Sequence, residues 1–238
     1  VIAFLHGMTG APSSWDDVAA LVGGGVAEPI LGHAPGLCRE STFAAEIERL
    51  IARLAPLAPV HLVGYSMGAR LALGLLAGAP GLFSRATLIG VHPGLAEPGE
   101  RAERIAADER WARLLETEGI AAFVAAWEAQ PLFATQAQLP AEVRERHRRR
   151  RLAHDPRGLA AAFRALGLGA MPDLWPALPA LAMPVTFVAG EIDRKFRAIA
   201  TRAVARASRA DIRLVPGAGH DVVLEAPRAV AAALLEDP

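Results

Sequence analysis

The chain has 238 residues, 25 basic and 25 acidic side chains, and 53% hydrophobic residues. That length suits one large domain or a core carrying an insertion. The balanced charge excludes a nucleic-acid surface spread over the whole protein, and no apolar run reaches the roughly 18 residues that span a bilayer.

The opening VIAFLHG reads as a strand with no basic leader and no small-residue cleavage site, so no signal peptide is expected there. Cys38 is the only cysteine, which precludes an intrachain disulfide and a thiol cluster for zinc and points to a reducing cytoplasm. Strands are expected at 1–5, 26–30, 60–65, 86–91, 185–190 and 211–215, where short, nearly continuous apolar runs suit a parallel sheet buried on both faces. Helical patterns fall between and after them at 14–22, 42–54, 67–78, 196–207 and 227–235. Ser14 with Asp17 is expected to cap the first helix, and Thr42 to open the second. This is the strand–helix alternation of an α/β fold.

The alternation stops between residues 92 and 184. That stretch offers no strand but predicts helices near 100–117, 119–128, 140–153 and 157–167. It is much longer than a crossover connection requires. A helical cap over residues 93–184 is therefore expected, inserted into a core made of 1–92 and 185–238.

The stretch HLVGYSMGARLAL, 61–73, places Ser66 between Gly64 and Gly68 where a strand turns into a helix. A Gly-rich turn accounts for the glycines, and an exposed nucleophile accounts for the serine as well. The pattern is the nucleophile elbow of the α/β-hydrolase fold, a mostly parallel sheet with helices on both faces. In that fold the acid and then the histidine follow the serine in the chain. His220 alone among the seven histidines lies beyond the last expected strand. The loop AGEIDRKF offers Glu191 and Asp193; Asp193 lies farther into the loop and is preferred, although either carboxylate is also suited to capping the following helix. The strand ending FLHGMTG supplies backbone amides at the carboxyl end of the sheet. Met8 and Met67 are the expected oxyanion N–H donors, with His6 supporting the loop.

A narrower resemblance lies in the segments 92–115, 123–133, 190–200 and 218–227, which include expected cap sequence. They resemble the 2-succinyl-6-hydroxy-2,4-cyclohexadiene-1-carboxylate synthases of menaquinone biosynthesis. The resemblance implies a lyase that eliminates pyruvate from a small substrate carrying three carboxylates, with no metal and no organic cofactor. It implies that Tyr65, Arg70, Arg104, Trp127, Arg151 and Lys195 bind this anionic substrate. Guanidinium groups suit that task because they stay charged and bind carboxylates through paired hydrogen bonds. Arg148 and Arg150 remain alternatives to Arg151 in the run RERHRRRR, 144–151. A solvated helix face or an RNA-binding patch is the competing reading of that run, and the missing aromatic stacking motif speaks against RNA. The family fold also starts with a β-hairpin ahead of the FLHG strand that is not found here, and the segment 139–160 is longer than the family's common form. A serine hydrolase acting through an acyl-Ser66 intermediate is the alternative function, and a non-catalytic binding module the third.

Overall fold

The computed structural model describes residues 1–37 and 41–236. Cys38 lies outside the described residues. In chain order the elements are β1 (Ile2–Leu5), α1 (Asp16–Leu21), β2 (Val26–Glu28), α2 (Phe43–Leu54), β3 (Val60–Tyr65), α3 (Met67–Gly78) and β4 (Phe83–Ile89). Then follow α4 (Pro98–Glu128), α5 (Ala141–Leu152), α6 (Pro156–Leu166), β5 (Val185–Gly190), α7 (Arg194–Val204), β6 (Ala210–Val215), α8 (Val222–Glu225) and α9 (Pro227–Leu235).

The six strands form one sheet in the order β2-β1-β3-β4-β5-β6, and every pairing is parallel. The strand side chains alternate between two cores, as a period of two requires. Ala3, Leu5, Leu62, Leu88 and Phe187 pack with α2, α3 and α7, whereas Phe4, Val63, Ile89 and Val188 pack with α1, α8 and α9. Burial on both faces is why these strands read as unbroken apolar runs.

Helix α3 approaches the sheet closely because two glycines permit it. A Cβ on Gly68 would lie 2.1 Å from the carbonyl oxygen of Leu5, and one on Gly64 would lie 2.5 Å from that of Gly68. Thr42 caps α2 as expected, accepting from the Ala45 N–H at 3.1 Å. Ser14 does not cap α1. It closes a short 3-10 turn, Pro12–Trp15, by accepting from the Ala11 N–H at 3.0 Å, and α1 begins only at Asp16.

The second strand stops at Glu28, just before a proline that has no N–H for the ladder. The fourth begins at Phe83, earlier than the pattern at 86–91 suggests. Residues 98–128 run as a single helical element with a break at Gly119, where φ is 79° and ψ is −178°. Helices α4 and α6 pack around their own core of Phe123, Val124, Trp127, Leu159 and Phe163, joined by Phe133. Among the described residues no helix is long and apolar enough to cross a membrane.

Candidate active site

Ser66 sits between the end of β3 and the first turn of α3 with φ 51° and ψ −108°. A non-glycine residue in such a conformation costs on the order of 1–3 kcal/mol and persists only where its surroundings hold it. Here its N–H donates to the Ile89 carbonyl at 2.8 Å and its own carbonyl accepts from the Arg70 N–H at 3.1 Å. The hydroxyl lies 3.1 Å from Nε2 of His220, and Nδ1 of His220 lies 2.8 Å from Oδ2 of Asp193. A carboxylate only accepts, so Nδ1 carries the proton and Nε2 is left to accept from the serine. The imidazole is buried against Phe196, with ring centroids 4.3 Å apart, and against Tyr65 at 5.6 Å.

Asp193 also caps α7: its Oδ1 accepts from the Phe196 N–H at 3.2 Å. The two tasks that sequence reading set in competition, orienting a histidine and capping a helix, fall to different oxygens of one carboxylate. Glu191 is exposed and accepts from the Gly217 N–H at 3.2 Å, away from the imidazole.

At the end of β1 the Gly7 carbonyl accepts from the Gly10 N–H at 3.0 Å and from Nδ1 of His6 at 2.9 Å. A trans peptide points its N–H opposite its carbonyl, so the Met8 N–H faces away from both donors. Met67 opens α3, where an N–H has no intrahelical acceptor.

Ser66 opens into a cavity of about 310 Å³ between the sheet and the helices that follow β4. Met8, Tyr65, Arg70, Arg104, Trp127 and Arg151 all line it. Burial holds the Tyr65 phenol well above its ordinary range, so it is neutral. Arg70 is buried, and one Nη donates to the Leu166 carbonyl at 2.7 Å. Burial, reinforced by Arg104, lowers its pKa to about 10. Arg104 is held by the buried Asp108, with Nη2 to Oδ1 at 2.8 Å.

Arg151 is almost fully buried. Its Nη1 donates to Glu128 at 3.1 Å, and its guanidinium lies 5.3 Å from the centre of the Phe133 ring. Its Nε has no partner, and neither has Nε1 of Trp127. Of the alternatives, Arg150 lines the cavity but is bonded to Ser13, whereas Arg148 does not line it and pairs with Glu128. Lys195 is exposed and outside the lining, its Nζ 5.8 Å from the Phe196 ring centre.

Other lining residues were not singled out from sequence. His147 is buried, with no hydrogen-bond partner at either ring nitrogen, and lies 3.7 Å from Oδ2 of Asp221. Burial and the neighbouring Arg151 lower its pKa to about 3. Asp221 follows His220, caps α8, and accepts from Gln136 at 3.3 Å; burial raises its pKa. Two signals were present: His147 stands one helical turn before Arg151, and Asp221 adjoins the candidate base. Among the described residues no group of three or more His, Cys, Asp or Glu is placed to hold a metal ion.

Comparison with known proteins agrees with this architecture. Residues 2–233 match the alpha/beta hydrolase family. A Salmonella agona (strain SL483) protein named 2-succinyl-6-hydroxy-2,4-cyclohexadiene-1-carboxylate synthase is 34% identical over 251 residues, covering 99% of this chain and 92% of that protein. A Bacillus subtilis (strain 168) protein carrying the same name provisionally is 35% identical over 239 residues, covering 95% of this chain and 86% of that one. The structure of MenH from S. aureus superposes with a TM-score of 0.91 at 28% identity, covering 98% of this chain and 91% of that chain. A thermophilic esterase from Thermogutta terrifontis shares the fold, with a TM-score of 0.83 at 20% identity over 98% of this chain and 87% of that one. The chain thus belongs to the alpha/beta hydrolase family and, within it, to the family of the 2-succinyl-6-hydroxy-2,4-cyclohexadiene-1-carboxylate synthases.

Proposed function

We propose that this protein is a carbon–oxygen lyase that releases pyruvate from a succinyl-enolpyruvyl-cyclohexene carboxylate, leaving 2-succinyl-6-hydroxy-2,4-cyclohexadiene-1-carboxylate. The observation that carries the reading is the gathering of Arg70, Arg104 and Arg151 around the cavity that holds Ser66. Among the described residues four arginines line that cavity; Asp108 and Glu128 hold Arg104 and Arg151 from outside the lining, while Arg70 is bonded to a backbone carbonyl and the Arg151 Nε has no partner. This favours an anionic substrate. In this reading residues 93–184 act as a cap that brings Arg104, Trp127 and Arg151 over a core of 1–92 and 185–238. A cytoplasmic setting goes with it.

His220, steadied by Asp193, takes the Ser66 proton, and the serine oxygen removes the ring proton beside the succinyl ketone. The N–H groups of Met8 and Met67 meet the charge that develops on the ketone oxygen. As the new ring double bond forms, the bond from the ring to the enolpyruvyl oxygen breaks. The proton held by His220 passes to the departing group and completes pyruvate. One C–H and one C–O bond break, the serine regains its proton from the ring, and no oxidant is consumed.

The second reading is a serine hydrolase, favoured by the 3.1 Å separation of Ser66 and His220, which equally suits acyl transfer. Pyruvate release from the enolpyruvyl substrate, followed by coupled reduction of the product, tests the choice. Ser66-dependent release supports the lyase. Brisk cleavage of a chromogenic ester with no pyruvate release overturns it.

A further inference from the structure

Three histidines from distant parts of the chain hold three successive peptides of the loop after β1. Nδ1 of His6 donates to the Gly7 carbonyl at 2.9 Å. Nε2 of His33 accepts the Thr9 N–H at 3.1 Å, and Nε2 of His154 donates to the Thr9 carbonyl at 3.1 Å. The peptides Gly7–Met8, Met8–Thr9 and Thr9–Gly10 are each fixed by one ring. The rings also touch edge to face, with centroids 5.0 Å apart for His6 and His33 and 5.3 Å for His33 and His154. Tautomers follow from the partners. The carbonyls of Gly7 and Leu31 only accept, so His6 and His33 carry their protons on Nδ1, which leaves Nε2 of His33 free to accept from Thr9.

The loop needs such holding. Thr9 has φ 64°, a left-handed conformation that costs a β-branched residue about 1–2 kcal/mol. Relaxing it would turn the peptides on either side. The peptide that carries the Met8 N–H is adjacent, and its direction depends on the Gly7 carbonyl staying where His6 and Gly10 hold it. His6 and His33 belong to the sheet end of the molecule. His154 does not: it lies in the short link between α5 and α6, three residues after Arg151.

We propose that His154 is a positioning residue for the Met8 N–H, the member of this three-histidine cradle contributed by the helices over the sheet. It touches neither substrate nor the reacting atoms. Its bond to Thr9 locks the left-handed turn, and the turn in turn aims the amide at the developing oxyanion. The inference rests on reading Met8 as an oxyanion donor, whichever reaction that oxyanion belongs to.

The experiment compares His154→Ala with His154→Gln, whose amide reaches about as far as Nε2 and can donate to Thr9. Loss of one oxyanion donor costs on the order of 10²–10³ in kcat, and misaiming it costs less. His154→Ala should therefore lower kcat about ten- to a hundredfold with KM changed less than about threefold, and His154→Gln should recover most of it. Both pyruvate release and hydrolysis of a neutral chromogenic ester are measured, because both reactions use the hole. Should His154→Ala fail to fold, His154→Asn, whose amide falls short of Thr9, replaces it with the same expectation. An unchanged kcat, a rise in KM alone, or a loss that His154→Gln fails to restore overturns the proposal. If the unmutated protein releases no pyruvate but its ester turnover shows the same kcat pattern, the cradle stands and the lyase reading falls.

Discussion

Asp193 and His220 are joined by one carboxylate oxygen only: Oδ2 takes the imidazole Nδ1–H at 2.8 Å, and Oδ1 takes a helix N-terminal N–H at 3.2 Å. This division separates two effects that a single truncation would mix. Asp193→Asn keeps an acceptor for the cap but disturbs the tautomer of His220. Activity should fall at least about a hundredfold with little change in melting temperature. Asp193→Ala should lose the cap as well, costing about 1 kcal/mol of stability. Glu191→Gln should leave turnover intact, since Glu191 reaches Gly217 rather than His220. Full activity in Asp193→Asn with a dead Glu191→Gln would reverse the assignment of the acid.

Arginine deletions separate lyase from hydrolase. A hydrogen bond to a charged group contributes roughly 1.5–3 kcal/mol, so removing the Arg104 or Arg151 side chain should slow pyruvate release about ten- to a hundredfold. Hydrolysis of a neutral ester should be almost unaffected by the same change, while Ser66→Ala abolishes both. Arg104→Ala also strands the buried Asp108, so it is best read together with Arg104→Ala/Asp108→Asn. Equal losses on both substrates would remove the case for an anion pocket.

Gly90 tests the seat of the histidine. Its φ is 58°, and a Cβ there would lie 3.0 Å from Cε1 of His220. Gly90→Ala should therefore displace the imidazole and lower kcat more than it raises KM, in a protein that still folds. Gly68→Ala is expected to be worse, because its Cβ would meet the rigid Leu5 carbonyl at 2.1 Å. Soluble expression and circular dichroism distinguish the two outcomes.

Acid should destabilise the fold over a defined window. Burial depresses the pKa of six histidines, to about 4 for His6 and His92, to about 3 for His61 and His147, and in the same direction for His33 and His154. Below 6.5 the unfolded chain takes up protons that the folded chain refuses, so stability falls as pH drops from about 6.5 toward 4. Each such histidine contributes a slope of up to about 1.4 kcal/mol per pH unit. Thermal melts from pH 7.5 to 4.5 should show this decline, and His61→Gln should make it shallower. A flat profile would mean that these rings are accessible to protons in the folded state.

Local physics made much of the molecule readable in advance. Apolar runs marked the strands because each sheet face is covered, and the glycines around Ser66 marked the turn because helix α3 must start against β1. Chain order among Ser66, Asp193 and His220 narrowed the candidates, while the 3.1 Å and 2.8 Å separations exist only once the ends of β3 and β5, with β4 between them, and the loop after β6 meet at one end of the sheet. Sequence could not choose within RERHRRRR: that helix is polar on every side, so no periodic signal marks its inner face. Packing against Glu128 and Phe133 turns Arg151 inward and leaves Arg148 outside the cavity lining. Lys195, which only the resemblance singled out, stands exposed in the first turn of α7, outside the cavity lining but beside Phe196, which belongs to it. Of the cradle of His6, His33 and His154, only His6, read as a support of the loop, was marked in the sequence; His33 and His154 carried no signal. Its members are brought together by the sheet and the overlying helices, and contacts between segments so far apart in the chain are set by tertiary packing rather than by any local preference.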